Sequence, residues 1–201
     1  MREIVYEKAG LRDSTHAGGE LINSGRFAFL LMMGADVMLY VGLLGGYFVL
    51  RGGSLSWPPP GSPALDPALM LWTCPLILLA SLSIGFSVRS HHKNTLKFLR
   101  LSLAATLIFI ACFVAITTTE WSNLLKNGLD IMTVFGGIYL IITGIFLLHI
   151  LGAAISVIGM IRRVSRWRTY TRSANSIPHL AMFLYMQTAI WICLYALIYA
   201  S

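Results

Sequence analysis

The sequence predicts an all-α integral membrane protein, a bundle of five transmembrane helices. Three observations lead to this prediction: the composition, the lengths of the apolar runs and the distribution of positive charge. Of the 201 residues, 57% are hydrophobic and only 11% are charged, whereas a soluble domain has about 25% charged residues. So few charges cannot cover a water-soluble core, and we therefore expect an outer surface that faces lipid.

Five apolar runs are long enough to cross a bilayer. A span needs about 20 residues, and it must be helical because lipid offers no partner to backbone polar groups. The second run opens on Pro67, whose missing N–H costs little at the start of a helix. The fourth run is longer than a span requires, so we expect it to tilt or protrude. The five runs are 27–50, 67–88, 98–119, 132–160 and 180–201.

The domain organisation predicted from these runs is a leader followed by one membrane domain. Residues 1–25 carry several acidic residues and have no apolar core of signal-peptide length, so they are interpreted as a cytoplasmic N-terminal leader. Residues 26–201 then form the five-helix transmembrane domain. The first loop outside the membrane, 52–67, is rich in proline and is predicted to be extended and stiff, either as a partner contact or as a plain connector.

The lysines and arginines alternate between the two sides of the membrane. Thirteen of the 15 lie in the N-terminal segment and in the loops after the second and fourth helices, leaving Arg51 and Lys126 for the other side. The positive-inside rule places the N-terminus in the cytoplasm and the C-terminus on the opposite, periplasmic side. The same clustering accounts for the net charge of +7 without a nucleic-acid partner.

Four residues are candidates for polar or lipid contacts within the membrane: Asp36, Glu120, His149 and Trp191. A charge at the depth of Asp36 costs about 2.5–3.5 kcal/mol on insertion scales. Asp36 is therefore either a proton-linked or lipid-binding acid, or a protonated acid bonded between helices. Glu120 is expected to end the third helix at the outer interface, in a helix-terminus role or as part of a functional polar patch, and the threonines at 117–119 before it can bond back to helix carbonyls.

His149 has two interpretations, a haem or copper ligand and a packed, hydrogen-bonded side chain. The packed interpretation is favoured because no other histidine lies at a matching depth. The three cysteines occupy separate apolar segments without metal-ligand spacing, which argues against disulfides and zinc. The sequence thus predicts no catalytic, cofactor-binding or metal site in this chain.

Small residues recur at helix-packing spacing in three of the runs. Such pairs allow helix backbones to approach closely, either within the bundle or against a partner. The pairs are Gly42 with Gly46, Ser81 with Gly85, Ser83 with Ser87, and Gly152 with Ser156. Two classes of protein remain from the residues alone: a subunit of a larger membrane complex, and a small stand-alone carrier. A carrier would more often show broken helices and several polar residues at the midplane.

Segments in all five helices resemble subunit III of the haem-copper respiratory oxidases. Asp36 falls on the acid of the family's first segment, and His149 falls on the second of two histidines. The helix count and orientation resemble the short bacterial form, found in quinol oxidases and some cytochrome c oxidases. The segments are LMMGADVMLY at 31–40, LILLASLS at 76–83, TEWSNLLKNGL at 119–129, YLIITGIFLLHILGA at 139–153 and WICLYALIY at 191–199.

The resemblance implies an accessory subunit of a terminal oxidase in a bacterial inner membrane. Such a subunit packs against catalytic subunit I and other oxidase subunits, binds phospholipid between its helices, and supports sustained turnover in the respiratory chain. Haem and copper, oxygen reduction and proton pumping belong to the partner subunits. A larger respiratory supercomplex is a further partner that the resemblance leaves open.

Four positions depart from the family pattern. Phe146 stands at the family's first histidine of the fourth helix, Tyr185 and Thr188 at the histidine and aspartate of the fifth, and Thr117 at an acid of the third. These departures indicate a divergent branch. They keep open a second assignment, the related accessory subunit of nitric oxide reductase.

Overall fold

The computed structural model describes residues 24–93, 95–165 and 176–199, and within these ranges the regular structure is helical. Five helices in the described part of the chain are long and apolar enough to cross a membrane, the second of them comprising α2 and α3 together. This confirms the predicted fold class. The helices are α1 (Ser24–Gly52), α2 (Pro67–Leu71), α3 (Thr73–His92), α4 (Leu96–Lys126), α5 (Val134–Ser165) and α6 (Ser176–Ile198).

Most of the helices extend beyond the predicted runs. The run 98–119 lies inside α4, which begins at Leu96 and continues to Lys126, and α5 continues past 160 to Ser165. The predicted limits followed the ends of the apolar runs. The helices are longer because backbone hydrogen bonds also form through the polar residues at the ends of these runs. Of the predicted leader, only the last two residues are described, as the start of α1; residues 1–23 lie outside the described residues.

The second span is interrupted between α2 and α3. Asp66 caps α2 by accepting a hydrogen bond from the Leu69 N–H at 2.9 Å, and Pro67 is the first helical residue, as predicted. Pro75 has no N–H to donate to the carbonyl of Leu71, and its ring crowds that carbonyl. The proline therefore accounts for the end of α2 at Leu71 and the fresh start of α3 at Thr73.

A tight turn joins α4 to α5. Gly128 has a φ of +91°, a conformation that glycine adopts without strain. It lets the Leu129 N–H bond the Leu124 carbonyl at 2.9 Å and close the helix. On the other side of the turn, Thr133 caps α5, since its hydroxyl accepts from the Gly136 N–H at 3.1 Å.

The chain divides into two compact units within α1, one ending at Asp36 and the other comprising Val37–Ser201. In the first unit, Ser24–Asp36 are helical. In the second, α3 packs most extensively on α4 and also on α6, while α5 packs on α4 and α6. The core of this unit therefore lies among α3, α4, α5 and α6.

The small-residue pairs fall into two groups. In α3, Ser81, Ser83 and Ser87 are buried, and Ser87 bonds Ser102 of α4 at 2.7 Å. By contrast, no described atom lies within 4 Å of a Cβ built on Gly42, Gly46 or Gly152. The α3 residues thus serve packing within the chain, whereas the glycines of α1 and α5 lie on open surface.

Candidate functional site

A buried acid lies near the end of α4, in contact with two tyrosines. Oε2 of Glu120 lies at hydrogen-bond distance from two hydroxyls, 2.9 Å from that of Tyr139 and 2.8 Å from that of Tyr199. The two hydroxyls are themselves 2.6 Å apart. Tyr139 comes from α5 and Tyr199 follows α6, so these three residues, called here the Glu120 cluster, tie three elements together.

The expectation that Glu120 ends its helix is wrong. The helix continues to Lys126, and the Glu120 side chain is 1% exposed. Its exposure was misjudged because the covering tyrosines are distant in sequence. The threonines beside it bond back to helix carbonyls as expected, with Thr117 donating to Phe113 at 3.0 Å and Thr119 to Ala115 at 2.7 Å.

A cavity of about 240 Å³ opens next to the Glu120 cluster. Tyr199 lines it, and Arg51 supplies the positive charge at its wall. Trp57 closes another side: its indole N–H donates to the Tyr47 hydroxyl at 3.0 Å, and its ring packs edge-on against Phe135 at 5.3 Å. The proline-rich loop 52–67 is therefore fastened to its own chain. A cavity with aromatic walls and one guanidinium suits an amphiphile with an anionic headgroup.

Trp191 forms the centre of an aromatic core. Its ring lies 4.9 Å from Phe113 and 4.6 Å from Phe146 between centroids. Its N–H donates to the Thr73 hydroxyl at 2.8 Å, and that hydroxyl donates onward to the Met70 carbonyl. The polar contact predicted for Trp191 thus lies inside the bundle.

His149 lies at the edge of the same aromatic group. Its Nδ1 is 2.7 Å from the Ile145 carbonyl and 3.4 Å from the Tyr40 hydroxyl. A carbonyl can only accept, so Nδ1 carries the hydrogen. Among the described residues, no three of the types His, Cys, Asp and Glu are grouped so that they could hold a metal ion.

The positions that depart from the family pattern are filled by residues that suit their surroundings. Phe146 is completely buried in the aromatic core. Thr188 bonds Ser81 across the α3–α6 contact and donates to the Leu184 carbonyl at 2.8 Å. The Tyr185 hydroxyl lies so close to Gly85 that a Cβ at position 85 would collide with it. Glycine at this position therefore leaves space for the tyrosine.

Three of the four predicted candidates lie in the second unit, and these three do not form one site. Asp36 belongs to the first unit and is buried, 7% exposed. In the second unit, Trp191 and His149 are linked through Phe146 and Tyr40, whereas Glu120 has its own cluster. The tyrosines of that cluster and the Trp57 cavity were missed. The available signal was that Tyr139 and Tyr199 are hydroxyl-bearing residues at the ends of apolar runs.

Comparison with known proteins gives a match along the whole chain. The family model described as cytochrome c oxidase subunit III matches residues 1–201. Cytochrome c oxidase subunit 3 of Candida glabrata is 29% identical over 215 residues, which cover 98% of this chain and 74% of the relative. The probable cytochrome c oxidase subunit 3 of Nocardia farcinica is 25% identical over 85% of this chain and 84% of the relative. The cytochrome c oxidase subunit 3 of Corynebacterium diphtheriae is 23% identical over 89% of this chain and 87% of the relative.

The described part of the chain has five helices that can span a membrane, and its relatives match nearly the whole chain. Together these findings define an integral subunit of a respiratory oxidase. The chain belongs to the cytochrome c oxidase subunit III family. It is a multi-pass membrane protein and an accessory, non-catalytic subunit, and the haem and copper of the oxidase belong to other subunits. This confirms the predicted resemblance.

Proposed function

We propose that this chain serves a bacterial terminal oxidase in the inner membrane, where it covers a face of the catalytic subunit and holds phospholipid there. Its N-terminus lies in the cytoplasm and its C-terminus in the periplasm. The bacterial assignment is supported by the bacterial relatives, the subunits 3 of Nocardia farcinica and Corynebacterium diphtheriae. The five spanning helices are the number expected for the short bacterial form.

The observation that carries the proposal is the open face of α1. From Val37 to Leu50 the large apolar side chains are mostly exposed, with Tyr40 and Tyr47 buried on the opposite side. The glycines at 42 and 46 leave room for a backbone to approach. A partner helix of the catalytic subunit is the occupant that family membership favours.

The proposed phospholipid site is the cavity beside Arg51. The guanidinium can bind a phosphate through two parallel hydrogen bonds, and the aromatic rings of Trp57 and Phe135 offer an apolar wall to the glycerol and the start of the acyl chains. Asp36, Glu120, His149 and Trp191 were proposed as polar or lipid contacts. Glu120 adjoins this cavity through its bond to Tyr199, which lines it.

The test is purification of the tagged chain in a mild detergent. We expect a haem absorption spectrum, a large catalytic oxidase subunit by mass spectrometry, and bound phospholipid. A catalytic subunit of nitric oxide reductase in its place would support the second assignment. A colourless, solitary 22.2 kDa protein would contradict the accessory role and favour a carrier.

The lipid site is tested in the same preparation with Arg51→Gln. We expect this variant to retain less phospholipid per complex, measured by lipid extraction and mass spectrometry. The matched control is Lys126→Gln, which removes an exposed cation at the end of α4. Equal lipid content in both variants would exclude the Arg51 cavity as the site.

A further inference from the structure

The Glu120 cluster brings three oxygen atoms into mutual contact. The Glu120 Oε2 atom is 2.9 Å from the Tyr139 hydroxyl and 2.8 Å from the Tyr199 hydroxyl, and the hydroxyls are 2.6 Å apart. Each of these distances is that of an O–H···O hydrogen bond. The three oxygens therefore form a ring of three contacts, and each contact needs one hydrogen.

The hydrogens available depend on the state of the acid. Each tyrosine hydroxyl carries one hydrogen, an ionised carboxylate carries none, and a carboxylic acid carries one. With an ionised Glu120, two hydrogens serve three contacts, so one pair of oxygens would face each other through lone pairs at hydrogen-bond distance. With a protonated Glu120, every oxygen in the ring donates once and accepts once.

The surroundings of the Glu120 carboxyl group also favour its protonated form. Glu120 is 1% exposed and Tyr139 is 1% exposed, so the carboxyl group itself has almost no contact with water. The side chain of Asp66 also acts on it, and Asp66 is another acid and not a counter-charge. Oε1 is buried and accepts no hydrogen bond of ordinary geometry from the described residues, although the backbone of Asp66 faces the group. A buried carboxylate with an unsatisfied oxygen is far more costly than a neutral acid.

We propose that Glu120 binds a proton in the folded protein, and that Glu120, Tyr139 and Tyr199 form a neutral ring of three hydrogen bonds. The ring is a proton-binding site at the edge of the Arg51 cavity, and it joins α4, α5 and the residue after α6. It is independent of the identity of the partner subunit, because all three side chains belong to this chain.

The test is infrared spectroscopy of the purified chain with the subunits that accompany it, at neutral pH. The difference between wild type and Glu120→Gln is expected to contain a carboxylic-acid C=O band that is present only in the wild type and moves to lower frequency in D2O. The glutamine side chain retains the shape of the acid and offers N–H donors in place of its O–H, so this variant should fold. Loss of carboxylate bands without loss of an acid band would overturn the proposal.

Two further variants make the result specific. Asp130→Asn is the matched control, since Asp130 is exposed and accepts a hydrogen bond from the Met132 N–H at 2.8 Å; this variant is expected to leave the acid band in place. Tyr199→Phe removes one member of the ring while Glu120 remains, so the acid band should persist at a shifted frequency. An acid band unchanged in Tyr199→Phe would show that the acid is not bonded to Tyr199 and would refute the ring.

Discussion

Trp191 uses both parts of its side chain, the apolar ring and the single N–H. The ring is 1% exposed and heads the fully buried side chains of the described core by volume. The N–H donates to Thr73, whose own hydrogen is used by Met70, so the buried polar atoms of this contact are paired. In a bundle surrounded by lipid, an unpaired N–H in the core finds no water molecule to accept its hydrogen bond. Such pairing therefore favours this particular packing of the helices.

Replacing Trp191 with phenylalanine tests this contact. We expect the free energy of unfolding to fall by about 1–2 kcal/mol, since the variant loses one hydrogen bond and leaves a small cavity. The measurement is thermal denaturation in detergent. Trp72→Phe is the matched control: Trp72 is 68% exposed, so its replacement should change stability by less than about 0.5 kcal/mol. Equal effects of the two variants would contradict the core role of Trp191.

At the residue scale, the sequence predicted bonding within helices better than bonding between them. The back-bonded threonines at 117 and 119 needed only the spacing of a helix, and they were anticipated. The partners of Glu120 lie on α5 and after α6, and no local pattern pairs an acid with tyrosines so far along the chain. The burial of Glu120 was misjudged for that reason.

The helices meet through specific polar and small residues as well as through apolar packing. Ser81 of α3 bonds Thr188 of α6, and Ser87 of α3 bonds Ser102 of α4. Trp121 of α4 lies against Gly144 of α5, where an added Cβ would meet the indole ring at 3.4 Å. Interhelical hydrogen bonds in membranes contribute about 0.6 kcal/mol on average, so these contacts orient the helices more than they hold them together.

The first turn of α5 depends on a glycine. A Cβ on Gly136 would collide with the carbonyl oxygen of Asp130 and would lie 3.0 Å from the Thr133 hydroxyl that caps the helix. Gly136→Ala should therefore shift the turn before α5 and lower the unfolding free energy by about 1–3 kcal/mol, as measured by thermal denaturation. In Gly159→Ala, the added Cβ meets no described atom within 4 Å, so stability should be unchanged or slightly higher.

At the element scale, the five spans were predictable because hydrocarbon thickness fixes the length of an apolar run. The ends of these helices were less predictable. The extension of α4 to Lys126 and the break before Thr73 depend on capping and on Pro75, which hydropathy does not measure. The small-residue pairs were recognised, but only the structure separates the α3 pairs that pack inside the chain from the glycines of α1 and α5 that remain open.

The whole molecule has an expected orientation that charge alone predicts. The loop that contains Lys93 should face the cytoplasm and the turn that contains Lys126 should face the periplasm. Both lysines are exposed, so each can be replaced with cysteine in a chain whose native cysteines are removed. A membrane-impermeant maleimide should label Lys126→Cys in intact spheroplasts, and Lys93→Cys only after the membrane is permeabilised. Labelling in the reverse order would refute the proposed topology.

The position of Trp57 has a consequence for how the protein is made. Its ring is held between Tyr47, which precedes it in α1, and Phe135, which begins α5. Synthesis runs from the N-terminus, so the loop leaves the ribosome long before Phe135 does. Until the fourth span enters the membrane, one half of the tryptophan's binding surface does not exist. The loop therefore remains open to proteases and to other subunits during most of biogenesis, and the arrival of α5 closes it.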